Sequence, residues 1–461
     1  MTQTTFDVSV LRAAMTGDVL DAGDPGYDEA RDAYNGDVDR RPAVIARCTG
    51  PDDIAAALAY ARATGLRVAV QGGRHGFWTA GEGELLIDLS LLNAVTVDPV
   101  ARRARCGGGA KLAQLDAATQ EHGLAVTAGT VSHTGVGGLT LGGGFGWLTS
   151  KLGLAIDNLE SAEVVLADGR CVRASATEHP DLFWALRGGG GNFGIVTEFE
   201  FRLHQVGPIV QFGLLFVEQD RAAHALRTAR DELPQLPAGF QAAIVCNNAP
   251  PAPFVPESHH FAPGVGVIVV GFGTPEEHAA AIAPLREALS PLFDAAMPLP
   301  YVALQQMLDD HMFWGVHNYA KGLYFEDISD AAVEVIAERA GRRATPSSQL
   351  LMFRMGGAYA EVGDDDTAWS GRRDVRYAMV VEGLAADAET FAGALKWARD
   401  TWDALLPMSE GPGTYVNMLP DADDRTVRAS YGETKYARLA RIKAEYDPGN
   451  VFSLNANIKP A

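Results

Sequence analysis

The sequence predicts an α+β fold, and three observations carry that prediction. Short strand-like runs alternate with few long helices as far as about Val206. Within that stretch, Val164-Val165-Leu166 and Cys171-Val172-Arg173 flank Ala167-Asp168-Gly169-Arg170, the pattern of a β-hairpin closed by an Asp-Gly turn. From Gly207 the texture changes to longer strands and helices, as an antiparallel sheet covered by helices on one face requires.

The elements follow in order. Arg41–Ala46 reads as a strand. Pro51-Asp52-Asp53 opens a helix in which Ile54, Leu58 and Ala61 recur at helical spacing until Gly65. Leu66–Val70, Leu85–Leu89 and Val95–Val97 read as strands, and Lys111–His122 as a helix. Asp181–Leu186 is a short helix before a strand at Ile195–Leu203. In the second part, Gln211–Val217, Val265–Phe272, Gln349–Glu361 and Ala378–Glu382 are strands, while Ala222–Leu233, Pro275–Leu289 and Ala388–Leu405 are helices. Pro412–Asn417 starts a C-terminal segment with a helix at Thr434–Tyr446 and a strand-like end at Val451–Ile458. The expected divisions are 1–206, 207–410 and 411–461.

The 461 residues carry a formal net charge of -20, which argues against nucleic acid and anionic membranes as partners. No apolar run approaches the roughly 20 residues that span a bilayer, and Met1–Asp39 has no basic region leading into an apolar one. A cytoplasmic protein is expected. Cys48, Cys106, Cys171 and Cys246 are scattered and form no CxxC pair, so a metal site is not expected and a reducing compartment fits.

The 50 glycines are more informative. They cluster at Gly72–Gly76, Gly107–Gly109, Gly135–Gly146 and Gly188–Gly194, each flanked by apolar strand-like runs. Glycine between ordered elements marks positive φ or a close backbone approach, as a pyrophosphate demands. The first cluster is no dinucleotide-binding GxGxxG, because Gly72-Gly73-Arg74-His75-Gly76-Phe77-Trp78 leads into loop rather than helix.

The chain resembles the berberine-bridge-enzyme-like FAD-linked oxidases of the vanillyl-alcohol-oxidase superfamily, with a PCMH-type FAD-binding domain. The resemblance rests on Val70–Gly76, Ser132–Gly146, Gly153–Leu159, Arg187–Val196, Tyr415-Val416-Asn417, Tyr446–Phe452 and Asn455–Ile458, and covers most of the chain. It implies an FAD domain made from 1–206 and 411–461, with a substrate domain inserted at 207–410. It also implies a flavin bonded to His75 through its C8α methyl, a small-molecule substrate and dioxygen as acceptor. The implied cofactor contacts in the first loop are Gly72, Gly73, Arg74, His75 and Gly76. The second loop contributes Thr130, Val131, Ser132, His133, Gly135, Gly137, Gly138, Leu139, Gly142, Gly143 and Gly144. The rest are Ile195, Val196, Asn417, Asn455 and Asn457.

Three departures from the family pattern matter. Many relatives hold a second flavin link through a Cys, but Val131 stands there, so a single link is expected. The family's catalytic Tyr follows the Asn matched by Asn417, but Met418 stands there. Tyr415 is not a simple replacement if this segment is a strand, since alternation turns 415 and 418 to opposite faces. Thr134 occupies a position where relatives tune oxygen access. The candidate catalytic residues are therefore His133, as a base whose imidazole titrates near neutral pH or as a hydrogen-bond partner of flavin or backbone; Asn417; and Arg354, as a carboxylate or phenolate clamp or in a structural salt bridge. The segment His311–Tyr319 is rich in His and aromatic residues and is expected to wall the pocket, with Phe313 and Trp314 expected in the core.

The leading expectation is an oxidase that takes hydride from a CH–OH or CH–NH centre and reduces dioxygen to peroxide, in natural-product tailoring. The alternative is a flavin-dependent oxygenase of the singly linked bacterial type, acting on a polyketide-like or phenolic compound.

Overall fold

The Asp52 and Asp53 carboxylates sit in the first turn of the helix Pro51–Thr64, which closes at Gly65 with φ +75, a value that favours glycine. That helix belongs to a computed structural model that describes residues 7–77 and 81–461; Trp78 lies outside the described residues. Its buried face, Ile54, Ala57, Leu58 and Ala61, packs on Val44, Ala46, Val68, Leu85 and Ile87. These belong to parallel strands Val44–Arg47, Leu85–Asp88 and Val68–Gln71 of a four-stranded sheet. Asp53 also caps a neighbouring loop, accepting from the amides of Thr16 at 2.7 Å and Thr49 at 2.8 Å.

A five-stranded antiparallel sheet follows, ordered Val95–Asp98, Arg103–Gly107, Ile195–Arg202, Leu159–Val165, Cys171–Ser175. The hairpin is present, with Gly169 at φ +93 in its turn.

The second part is a seven-stranded antiparallel sheet, ordered Phe293–Pro300, Ile209–Glu218, Pro263–Gly271, Gln241–Asn248, Gln349–Arg354, Tyr377–Ala385, His317–Phe325. Alternation divides its side chains. Leu350, Met352, Met379 and Val381 pack under the helices Ala222–Glu232, Pro275–Leu289, Asp330–Gly341 and Ala388–Leu405. Leu351, Phe353 and Ala378 turn the other way, toward Trp147, Leu154 and Ile156 of the N-terminal part.

The C-terminal helix runs Asp424–Tyr446, kinked at Gly432, and buries Val427, Tyr436 and Leu439 against Phe183, Phe193 and Val196. The chain thus returns to its N-terminal part. Among the described residues no helix is long and apolar enough to cross a membrane.

Elements not foreseen include strands Gln241–Asn248, Phe293–Pro300 and His317–Phe325, and helix Asp330–Gly341. Two expected strands are absent. Val451–Ile458 joins no ladder and is held by single hydrogen bonds, among them Ile458 N to Asn192 Oδ1 at 2.9 Å. Tyr415–Met418 forms a short 3-10 turn, Val416–Met418, so strand alternation does not govern where Tyr415 points.

Candidate active site

The glycine clusters meet backbone to backbone at the floor of one long cleft. A Cβ on Gly73 would stand 2.1 Å from Gly135 N, and one on Gly137 would stand 2.6 Å from Gly108 O. Neither distance is available to a real side chain. Gly73→Ala is therefore expected to push the two loops apart and to destabilise the protein by about 3 kcal/mol, the upper range for overpacking. The expected signature is a lower thermal midpoint together with a loss of bound flavin.

The cleft is lined by Gly72, Gly73, Arg74, His75 and Gly76, by Thr130, Val131, Gly135, Gly137, Gly138 and Leu139, and by Ile195, Val196, Asn417 and Asn455. Other expected residues are not among its lining. Gly143, at φ +135, makes room for Trp369, and Gly144, at φ +76, lies against Leu139 and Ala155. Gly142 lies against the Asn417 side chain. Ser132 is tied across to the other half of the protein, its amide and hydroxyl donating to Asp309 at 2.8 and 2.5 Å. Asn457 and Asn455 each bury a side-chain oxygen that has no partner among the described residues. Tyr34, Gln349 and Glu382, which the sequence does not mark, also line the cleft, with Asn192 of the third glycine run and Asn318 of the His311–Tyr319 segment. The first three have no glycine-like signature, and Glu382 is hidden in the apolar run Ala378–Ala385.

His75 sits in a stack. Its ring lies 4.1 Å from that of Tyr34, with the planes 7° apart. His75 Nε2 is 2.8 Å from His133 Nδ1, and His133 Nε2 is 2.9 Å from Met312 O. Burial lowers the pKa of both rings, that of His75 to about 3, so both are neutral near pH 7. A carbonyl can only accept, so His133 Nε2 carries the proton and His133 Nδ1 accepts from His75 Nε2–H. His75 Nδ1 is left with a free lone pair and no partner among the described residues.

The geometry places His133 in hydrogen bonds to His75 and to the Met312 carbonyl. Both its nitrogens are engaged in these hydrogen bonds. Arg354 shares the helix-facing side of its strand with Leu350 and Met352, and its guanidinium donates to Phe240 O at 2.9 Å. Asn417 does face the cleft, and its Nδ2 donates to Gly138 O at 3.0 Å and to the Tyr415 hydroxyl at 2.8 Å. The same hydroxyl accepts from Gly144 N at 3.2 Å, and burial pushes its pKa up to about 12. The 3-10 turn thus brings Tyr415 and Asn417 together over the glycine floor.

Residues 42–175 match the family described as FAD binding domain, and 414–459 the family described as berberine and berberine like. The chain is 30% identical over 466 residues to (R)-6-hydroxynicotine oxidase of Paenarthrobacter nicotinovorans, covering 97% of each protein. The chain belongs to the berberine-bridge-enzyme-like FAD-linked oxidoreductases. Its fold superimposes on 6-hydroxy-D-nicotine oxidase from Arthrobacter nicotinovorans with a TM-score of 0.85 at 28% identity, covering 97% of this chain and 98% of the other. It also matches glucooligosaccharide oxidase from Acremonium strictum, described with a 6-S-cysteinyl, 8α-N1-histidyl FAD. There the TM-score is 0.87 at 24% identity, over 99% and 100% of the two chains, a likeness of fold. The relatives named here are oxidases, and they give the oxygenase alternative no support.

Proposed function

We propose that this FAD-linked oxidoreductase is an oxidase with a single covalent flavin link, at Nδ1 of His75. The chain divides accordingly into an FAD part, 1–206 with 411–461, and a substrate part, 207–410. The observation that carries the proposal is the neutral His75–His133–Met312 relay at the edge of a glycine-floored cleft. The cleft fits the cofactor, because no side chain occupies its floor and the buried Asn455 oxygen is left for a ligand.

FAD, when bound, supplies a two-electron acceptor that dioxygen regenerates with release of hydrogen peroxide. The protein's residues do the rest. His133 holds the Nε2 proton of His75 and so presents the nucleophilic lone pair toward the cleft. Ser132, bound to Asp309, and His133, bound to Met312, pin the flavin loop to the substrate part. Tyr415 and Asn417 line the cleft beside the glycine loop, where a substrate CH–OH or CH–NH hydrogen would have to approach. Val131 lines the cleft without a thiol, which limits the attachment to one bond.

The test is anaerobic mixing with panels of small alcohols and amines. A turned-over substrate is expected to bleach the flavin absorbance, and admitted oxygen to restore it with one peroxide per flavin. A product that has gained oxygen, with no peroxide released, would contradict the oxidase assignment.

A further inference from the structure

The substrate wall of the cleft is the face of the seven-stranded sheet that turns away from the helices. It is mostly apolar, with Leu351, Phe353 and Val380 in its middle. At one end stands Glu382, only 6% exposed. Its cross-strand partner is Gln349, whose Nε2 donates to Glu382 Oε2 at 2.6 Å. That is the one hydrogen bond to the carboxyl among the described residues, and no charged side chain among them acts on it. Arg74, the one Arg or Lys lining the cleft among the described residues, is already engaged with Asp88 at 3.5 Å and Glu29 O at 2.7 Å.

A carboxyl taken out of water needs a proton or a cation. Burial holds Glu382 above the ordinary carboxylate range, opposed only by the Gln349 bond. Its surroundings add acceptors and no cation. Asn318 stands one cross-strand pair further along, facing the same cleft, and its Oδ1 is buried without a partner among the described residues. The Tyr34 hydroxyl, also buried, lies beside the Asn318 side chain and feels the Glu382 charge. A carboxyl, an amide oxygen and a phenol oxygen thus converge on a cleft with apolar walls. A buried carboxyl with no cation beside it matches a group that donates hydrogen bonds and carries positive charge.

Building on the oxidase proposal, we infer that Glu382 anchors a cationic nitrogen of the substrate, which makes the substrate class amines of small, partly apolar molecules. Gln349 orients the carboxylate, and Asn318 and Tyr34 take the remaining N–H donors.

The experiment compares 2-phenylethylamine with its near-isostere 2-phenylethanol by titration calorimetry on the flavin-loaded protein, with flavin content read separately by absorbance. The amine is expected to bind about tenfold tighter than the alcohol, the scale of one charge-assisted hydrogen bond. In Glu382→Gln, which keeps the side-chain shape, that preference is expected to vanish. Equal binding of amine and alcohol by the unaltered protein would overturn the inference without any variant, as would an undiminished preference in Glu382→Gln. Flavin bound normally with no amine preference refutes this inference and leaves the oxidase proposal standing. Protein that binds no flavin but still prefers the amine would refute the oxidase proposal and leave the carboxylate site.

Discussion

His75→Ala is expected to give acid-precipitated protein free of flavin, where the unaltered protein carries about one flavin per chain. The reason is chemical. Attachment needs a nucleophile at the end of the cleft, and His75 Nδ1 is the lone pair that the hydrogen-bond relay leaves free. Alanine removes the nucleophile and spares the glycine floor, so some dissociable FAD is expected to remain in the soluble protein. The companion variant His133→Ala keeps the nucleophile but removes the acceptor that fixes its tautomer. Attachment is then expected to slow by about tenfold, the scale of a single lost hydrogen bond. Mass spectrometry of the acid pellet over time measures both. Full attachment in His75→Ala would place the link elsewhere; attachment at the normal rate in His133→Ala would remove the relay from the account.

The second large effect concerns Lys443, whose side chain is fully buried with that of Asp447. Its Nζ donates to Asp447 Oδ2 at 2.6 Å, to Asn192 O at 2.6 Å and to Phe452 O at 3.0 Å. Asp447 in turn accepts from the amides of Val451 at 2.8 Å and Phe452 at 3.0 Å. One ion pair thus ties the C-terminal helix, the Asn192 loop and the strandless tail that carries Asn455. Lys443→Met leaves a buried carboxylate with no cation and is expected to lower the unfolding free energy by about 3–5 kcal/mol. The double variant Lys443→Met with Asp447→Asn removes the stranded charge and is expected to recover part of that loss. Urea denaturation followed by far-UV circular dichroism measures the difference. A loss below about 1 kcal/mol, the range of exposed pairs, would contradict the structural role given to this pair.

The parts of the fold that the sequence announces are those with local punctuation. The helix Pro51–Thr64 has proline, acids and glycine at its ends, and the 168–169 turn has its Asp-Gly pair. The helices Pro275–Leu289 and Ala388–Leu405 match their expected bounds for the same reason, since each has an N-cap side chain that accepts a backbone amide. Gln241–Asn248 lacks such signals. It is alanine- and asparagine-rich, and its strand form comes from the neighbours that pair with it on both sides. The Tyr415 turn misleads because three residues are too few for either period to register. In the site, the glycines and His75 were legible because close backbone approach leaves a compositional trace. The roles of His133 and Arg354 were not, since they depend on which partner each side chain meets across the two halves of the chain. Glu382 was invisible for the opposite reason: its burial turns on a cross-strand neighbour, Gln349, 33 positions away.

The proposal places the flavin on one bond to His75. Acid precipitation of the purified protein, followed by proteolysis and mass spectrometry of the pellet, tests it most directly. The account predicts a yellow pellet and one flavin-bearing peptide, the one that contains His75, with the Val131 peptide unmodified. A colourless pellet with all the FAD in the supernatant, or a flavin mapped to any other residue, would contradict it.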